Sequence, residues 1–586
     1  MKLEKISIKN FRRISEAEII LSASSFIIGP NNSGKTSVID AIDALLSLKT
    51  EKVTEYDFRL KDDCIRTDTI EIMGIFKDIS SETAQSRGFK GRVIKDRFTY
   101  KKTYNLNAAT KPTIESITYP YKIKTEFESV KKVQDLLDAG ISQEQINDNL
   151  IKTNPDDKLP KGWERDFLEV LEFETEKEPI FEQNPGGFPS NVNSRLPKII
   201  RIPSLINLQE IESTDKKYIL GECLSILFED LLAQTTLAKD IQGKLTELET
   251  KMNPATKGSM IKKLTEEVNK IIASVFPKCG IEITPNLQNL SDILKPKYDI
   301  NLFSNVKTKM DKQGTGLIRT TAFAMLRYHS NLKTEKKIET RPILVAFEEP
   351  EIYLHPAAAN LLRDTIYSLG NSDQIICNTH SPWMIDLTQE PLSLSKMIFR
   401  SDDTISCKNY GVTSSYLKLP QDDKKRVKML QIFDDELSRV FFADRVVVVE
   451  GDTELLAIKN TLKIIPEEVR KDILSKSQVV RARGKASIIS LVKYLQDLDI
   501  FPVVMHDRDK GTPGAEVFNK PISDTIKDTS RLTLNEENIE DTLGYKAPSA
   551  DKPFIAYENT SKWTKVSDIP TTWKEKFEFI FGVNLE

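Results

Sequence analysis

Apolar and polar positions alternate from the first residues. In MKLEKISIKNFRRI the apolar Leu3, Ile6, Ile8 and Phe11 are set among lysines, a period near two that predicts a half-buried strand. A short apolar run, SSFII, follows and predicts a buried strand. Beyond a glycine loop the period changes. Val38, Ile39, Ile42, Leu45 and Leu46 fall on one face of a helix. Residues 70–122 read as several strands (TIEIMGIF, DRFTYKKTYNL, TIESITYPYKI), and PKIIRIPSL reads as another. Between them, residues 124–196 are polar, with helices and a loop expected near NPGGFPSNVNSR. Residues 205–276 carry two amphipathic helices, YILGECLSILFEDLLAQ and MIKKLTEEVNKIIASVF, joined through KMNPATKGS into a hairpin whose apolar stripe needs a partner. No heptad run is long enough for a coiled-coil arm.

The second half returns to α/β patterning. DKQGTGLIRTTAFAML is a glycine-containing turn leading into an apolar helix, and RPILVAF and QIICN are buried strands. LSLSKMIFRSDDTISCKNYGV completes this lobe, and KKRVKMLQIFDDELSRVFFADRV is a helical connector. After it the order is strand RVVVVEG, helix DTELLAIKNTLKII, strand SQVVRARG, helix KASIISLVKYLQDLDI, strand FPVVMHDRDKG, the doubly wound parallel pattern.

A chain of 586 residues is too long for one core. Its 84 basic and 87 acidic residues leave a net charge of -3, which neither requires nor excludes nucleic acid. The five cysteines, Cys64, Cys223, Cys279, Cys377 and Cys407, form no C-x-x-C pair and read as buried thiols of a reducing compartment. No apolar run reaches the roughly twenty residues of a membrane span, and the N-terminus lacks a signal-peptide core, so a cytoplasmic protein is expected.

Two sets of residues carry chemistry. Gly29-Pro30-Asn31-Asn32-Ser33-Gly34-Lys35-Thr36 fits the phosphate-binding loop G-x-x-x-x-G-K-[ST]. Its glycines permit a tight wrap of backbone N–H groups around phosphates, Lys35 reaches the β- and γ-phosphates, and the Thr36 hydroxyl binds Mg²⁺. At the tip of RPILVAF, Glu348 is placed to hold Mg²⁺ and Glu349 to orient the attacking water. His380, after QIICN, is placed near the γ-phosphate. Taken with Gln313 and Gly314 and the opening NFRRI, these motifs resemble the ABC-type ATPase heads of the RecF and SMC group. The resemblance implies ATP bound between two subunits, Gly314 of one facing Lys35 of the other. It departs in having Glu348 where those heads usually carry Asp.

The second set lies at strand ends of the C-terminal lobe: Glu450 after the first strand, Glu454 one turn into the next helix, Asp507 and Asp509 after the third strand. Crowded carboxylates need cations, and an all-oxygen donor set suits Mg²⁺ or Mn²⁺ rather than zinc. This segment resembles the Toprim fold, and a head followed by Toprim resembles the overcoming-lysogenization-defect nuclease family, which includes the nuclease of Gabija-type phage defence. The resemblance implies Glu450 as general acid/base or metal ligand, metal ligation by Glu454, Asp507 and Asp509, a further ligand among Glu537, Glu540 and Asp541, of which Glu540 is favoured, and a lysine assisting phosphate cleavage at Lys552. The expected division is 1–204 head, 205–278 helical insertion, 279–420 head, 421–586 Toprim. The function implied is an ATP-regulated, metal-dependent DNA endonuclease acting in phage defence as a homodimer or higher oligomer. Family members also work beside a helicase-like protein or a retron RNA–DNA hybrid. The alternative is a DNA clamp or scaffold that uses ATP only for assembly. A topoisomerase would need a tyrosine domain and a primase a zinc or polymerase module.

Overall fold

The computed structural model describes residues 1–204 and 341–585, except 48–52, 62–64, 109–110, 151–152, 161, 184–188, 353 and 435–436. From 205 to 340 it describes 223–224, 240, 244, 301–303, 307–309 and most of 318–329. The hairpin expected over 205–276 falls almost wholly outside the described residues, and Gln313 and Gly314 fall outside them too. The chain divides into two compact units. One is Met1–Ile199, Arg341–Ile352 and Ala359–Glu586; the other is Ile200–Thr340 and Tyr353–Ala358. In the second unit an antiparallel pair, Asn301–Phe303 with Lys307–Lys309, is described.

The first unit holds two main sheets and, among its described residues, a small antiparallel pair of Tyr121–Ile123 with Leu171–Phe173. The larger takes strands β1 (Lys2–Phe11), β2 (Ile14–Ile20) and β3 (Ser24–Ile28), followed by helix α1 (Lys35–Leu46). Then come β4 (Thr69–Lys77), β5 (Arg97–Asn105), β6 (Thr113–Thr118) and β7 (Ile180–Gln183). Strands β8 (Ile343–Glu348), β9 (Gln374–Asn378), β10 (Leu392–Phe399) and β11 (Ile405–Tyr410) follow, and the short strands Val93–Ile94 and Lys198–Ile202 pair onto β5 and β8. Their order is β7-β6-β5-β4-β1-β2-β11-β10-β3-β9-β8. From β7 to β2 every pairing is antiparallel; β10, β3, β9 and β8 run parallel. The patterning accounts for the difference. β4 alternates buried Ile70 and Ile72 with half-buried Glu71 and Met73, as an antiparallel strand with one wetter face should. β3, β8 and β9 are buried at every position, as central parallel strands covered on both faces should be. α1 lays Val38, Ile39, Ile42, Leu45 and Leu46 onto the same core as Leu3, Ile6, Ile72 and Phe76. Residues within 121–173 build a small core of their own around Trp163, Phe167 and Leu136, where sequence patterning suggested only polar helices and loops.

Helix α2 (Gln421–Phe433) leads to the second sheet. It holds β12 (Arg445–Val449), α3 (Asp452–Ile464), α4 (Glu467–Lys476), β13 (Ser477–Arg481), α5 (Lys485–Asp497), β14 (Val503–Asp507) and β15 (Leu532–Asn535). The four strands are parallel in the order β13-β12-β14-β15. This is the expected doubly wound pattern, enlarged by α4 and by β15, whose residues, Leu532 to Asn535, are too short and polar to stand out in the sequence. A final helix, α6 (Thr571–Phe581), packs Trp573, Phe577 and Ile580 into the same core as Val447, Val449 and Met505. The Trp573 indole N–H donates to Thr461 Oγ1 at 2.8 Å, so the buried ring leaves no polar atom unpaired. Of the described cysteines, Cys223 and Cys377 are buried thiols and Cys407 is half-buried. Among the described residues no helix is long and apolar enough to cross a membrane.

Candidate functional site

The glycine loop forms where β3 ends and α1 begins, at the C-terminal edge of the parallel strands. Gly29 has φ of 149° and Gly34 of 84°. A Cβ on Gly29 would lie 2.6 Å from Ser33 Oγ and 2.7 Å from the Met397 carbonyl, so only glycine closes this wrap. Asn31, Asn32 and Thr36 are exposed, and Ser33 is fully buried. Lys35 is buried and donates to the carbonyls of Gly29 at 3.1 Å and Pro30 at 2.8 Å. Burial brings its pKa down to about 8, and the charge of Glu349 opposes that fall.

Glu348, Glu349 and His380 arrive from β8 and β9; β9 pairs with β3, and β8 lies on its far side. Glu348 is paired in register with Asn378. Glu349 sits at φ 44°, with its N–H donating to the Asn378 carbonyl at 2.9 Å. Its Oε1 lies 3.5 Å from His380 Nε2. Burial lowers the His380 pKa, the charge of Lys35 lowers it further, and Glu349 opposes. Lys35, Glu349 and His380 therefore form one electrostatic cluster although distant in sequence. The pocket fits a phosphate chain: Ser33 Oγ and both polar atoms of the Asn378 amide are buried without hydrogen-bond partners, beside a loop that no Cβ could line. Sequence reading missed Glu351. Its Oε1 accepts from Thr379 Oγ1 at 2.6 Å and from the His380 N–H at 3.3 Å, which ties the glutamate turn to the histidine turn. The signal was there, a third acid two residues past Glu349.

The C-terminal acids meet for a topological reason. β12 is flanked by β13 on one side and β14 on the other, so the chain turns opposite ways from its two neighbours and opens a crevice at their C-terminal ends. Val449 is in register with Met505, which sets Glu450 beside the end of β14. The Asp507 N–H points at Glu450 Oε2 at 3.4 Å. Glu454, in the first turn of α3, curls back so that Oε2 accepts from the Gly451 N–H at 3.1 Å. Asp507 Oδ1 accepts from Asn535 Nδ2 at 2.8 Å, and this bond is what β15 contributes to the site.

Each of these acids resists ionisation. Burial raises Glu450 to about 7, and the charge of Asp507 adds to it while Lys485 opposes. Burial with the charges of Asp507 and Glu450 raises Glu454 to about 8. Burial, Asp509 and Glu540 raise Asp507 to about 6, against the Asn535 hydrogen bond. Glu540 is fully buried, and neither carboxylate oxygen has a hydrogen-bond partner. Lys552 Nζ lies 3.5 Å from its Oε1.

All five predicted acids thus gather at one end of the sheet. Among the described residues no three His, Cys, Asp or Glu side chains close around a single point. The donor set still fits a hard divalent cation, since every group is a carboxylate and a cation reverses the raised pKa values of Glu450, Glu454 and Asp507. Lys552 lies beside Glu540, and a second lysine that sequence reading passed over sits deeper. Lys485, with its side chain almost wholly buried, places Nζ 2.5 Å from Asp509 Oδ2 and 3.1 Å from Asn519 Oδ1. Its position, the residue after Gly484 at the end of β13, is a strand end of the same crevice and was legible as such.

Comparisons with known proteins agree with this two-part organisation. Residues 1–385 match the family described as AAA ATPase domain. Residues 441–509 match the domain described as overcoming lysogenization defect protein-like, TOPRIM domain. Over 528 residues, 87% of this chain and 77% of the relative, the sequence is 23% identical to the Old nuclease of Escherichia phage P2. It is 24% identical to the endonuclease GajA of Bacillus cereus strain VD045, over 87% of this chain and 75% of that one. It is 23% identical to the OLD nuclease of Thermus scotoductus, over 92% and 86%. The chain belongs to the AAA ATPase domain family, and its C-terminal lobe is a TOPRIM domain of the overcoming-lysogenization-defect type.

Proposed function

We propose that the protein is a DNA endonuclease that requires a divalent ion, Mg²⁺ or Mn²⁺, and is governed by ATP in its head, with a role in phage defence. The observation that carries this reading is the delivery of Glu450 and Asp507 side by side at the switch point of a parallel sheet, with Glu454 behind them. Relatives named as nucleases over most of the chain support it, and the clamp reading is not favoured.

Glu450, Asp507 and Asp509 would hold one ion, and Glu454 and Glu540 would help hold a second. Ions bound there polarise the phosphodiester and make water a better nucleophile at neutral pH. The residues themselves do the rest. Glu450, with a pKa of about 7, can take or give a proton near neutrality. Asn535 fixes the Asp507 carboxylate. Lys485 neutralises Asp509, and Lys552, half-exposed, is free to turn from Glu540 toward a phosphate oxygen. In the head, Lys35 would leave the loop carbonyls for ATP phosphates, Thr36 and Glu348 would hold Mg²⁺, and Glu349 with His380 would orient the attacking water. Gln313 and Gly314 would cap the nucleotide of a second protomer, so the working form is a homodimer or larger. On this reading the lobes are 1–204 and 279–420 for the head, 205–278 for a dimerising insertion and 421–586 for the TOPRIM part.

The test is supercoiled plasmid incubated with protein and Mg²⁺ or Mn²⁺, with and without ATP. Nicked or linear product that disappears in EDTA and in Asp507→Ala is expected. Untouched plasmid in every mixture overturns the reading, and relaxed closed circles would turn it toward a topoisomerase.

A further inference from the structure

Glu450 also lines a cavity of about 270 Å³, together with Arg426, Arg483, Gly484, Lys485 and Gly514. Glu450 therefore belongs both to the acidic crevice and to this basic hollow. Resting on the nuclease reading of those acids, we propose that this cavity seats a backbone phosphate of the DNA strand, neighbouring the phosphate to be cut.

The charges point that way. Three cations line the cavity against one carboxylate. Lys485 is committed to Asp509. Arg426 and Arg483 are exposed, and among the described residues neither guanidinium is drawn into a hydrogen bond or ion pair. The obvious competitor, Asp423 on α2, is taken by Lys493 at 2.9 Å and Ser490 at 2.6 Å. Those two bonds also fix α2 against α5, so Arg426 is held near the start of the helix that Lys485 opens. Arg483, at φ 58°, rests its guanidinium 5.9 Å from the centre of the Phe433 ring. The floor is open: a Cβ on Gly484 or Gly514 would meet nothing within 4 Å, so a ligand can approach backbone there. Planar guanidinium groups bind phosphate oxygens in pairs, and each phosphate contact made by a cation appears in the salt dependence of binding. The arrangement also answers a problem of the site, because a crevice of five acids repels a polyanion unless positive charge stands beside it.

The test is fluorescence anisotropy of a labelled short DNA duplex in EDTA, so that nothing is cut. Wild type is compared with Arg426→Ala/Arg483→Ala, and with Arg426→Lys/Arg483→Lys to keep charge. The alanine pair should weaken binding by about tenfold at low salt and flatten the log–log salt slope by about one to two. The lysine pair should keep the slope. Thermal melting checks that both fold; single Arg483→Gln, at an exposed position, stands in should the alanine pair fail that check, with a slope change of about one expected. Wild-type affinity and slope in the alanine pair, or in the single variant used in its place, overturn the proposal. Plasmid cleavage in Mn²⁺ separates the two readings. Arginine-dependent binding by a wild type that cuts nothing upholds the phosphate seat and removes the nuclease. Cutting by a wild type whose alanine variant binds as well as it does removes the seat alone.

Discussion

Asp507→Asn should make the protein more stable while destroying its function. Asp507 is 8% exposed, and its pKa stands at about 6 against an ordinary 3.8. Two units at 1.36 kcal/mol each put the cost of ionising it in the fold at about 3 kcal/mol. The folded carboxyl holds its proton more tightly than the unfolded one, so stability is intact below pH 4. It is lost as pH rises through 6, and the full loss persists above that. Asparagine keeps the shape and the acceptor for Asn535 Nδ2, and it removes the charge that raises both Glu450 and Glu454. In EDTA at pH 8 the variant should gain about 1–3 kcal/mol in urea denaturation, with no gain near pH 4. Mn²⁺ should stabilise the wild type, as any ligand of the folded state does, and stabilise the variant far less. DNA cleavage should fall at least about a hundredfold, because a metal ligand supplies several kcal/mol in the transition state. A variant that unfolds earlier than wild type at pH 8 in EDTA would mean that the fold already compensates the Asp507 charge. Equal stabilisation of both by Mn²⁺ would mean that Asp507 is not a ligand.

Other outcomes follow from the same structure. Lys35→Ala should abolish ATP binding in equilibrium dialysis, because the loop keeps its wrap but loses its cation. Glu349→Gln should bind ATP and stop turning it over; unchanged phosphate release would assign water activation elsewhere. Trp573→Ala removes a fully buried ring and its bond to Thr461, and should destabilise the C-terminal lobe by about 3–5 kcal/mol, read as earlier loss of its tryptic protection. Light scattering should show at least a dimer, and a monomer with and without ATP would contradict the shared nucleotide site.

Much of the site was legible because strand ends advertise themselves. Four valines before Glu450 and the run Val503-Val504-Met505 before Asp507 could only be buried strands, and a carboxylate straight after such a run has one place to be. The phosphate loop was legible for a similar reason: Gly29 is demanded by the wrap around Ser33 and the Met397 carbonyl, and Gly34 by its φ of 84°. The residues that escaped notice act across the fold. Glu351 matters because its carboxylate reaches the turn after β9. Asn535 matters because β15 lies beside β14. Lys485 looks like any helix-opening lysine until the sheet brings Asp509 to it.

The sequence by itself determined the elements and their chemistry: strand, glycine loop and helix at the start, acids at strand tips, a doubly wound ending. Local rules suffice for that, since periodicity, glycine and turn chemistry act over a few residues. Which strand stands next to which was decided only in three dimensions. β3 had to lie between β9 and β10 for Lys35 to meet Glu349 and His380, and β12 between β13 and β14 for Glu450 to meet both Asp507 and the basic cavity. The raised pKa values of Glu450, Glu454 and Asp507 are likewise products of burial and crowding, which no stretch of sequence carries alone.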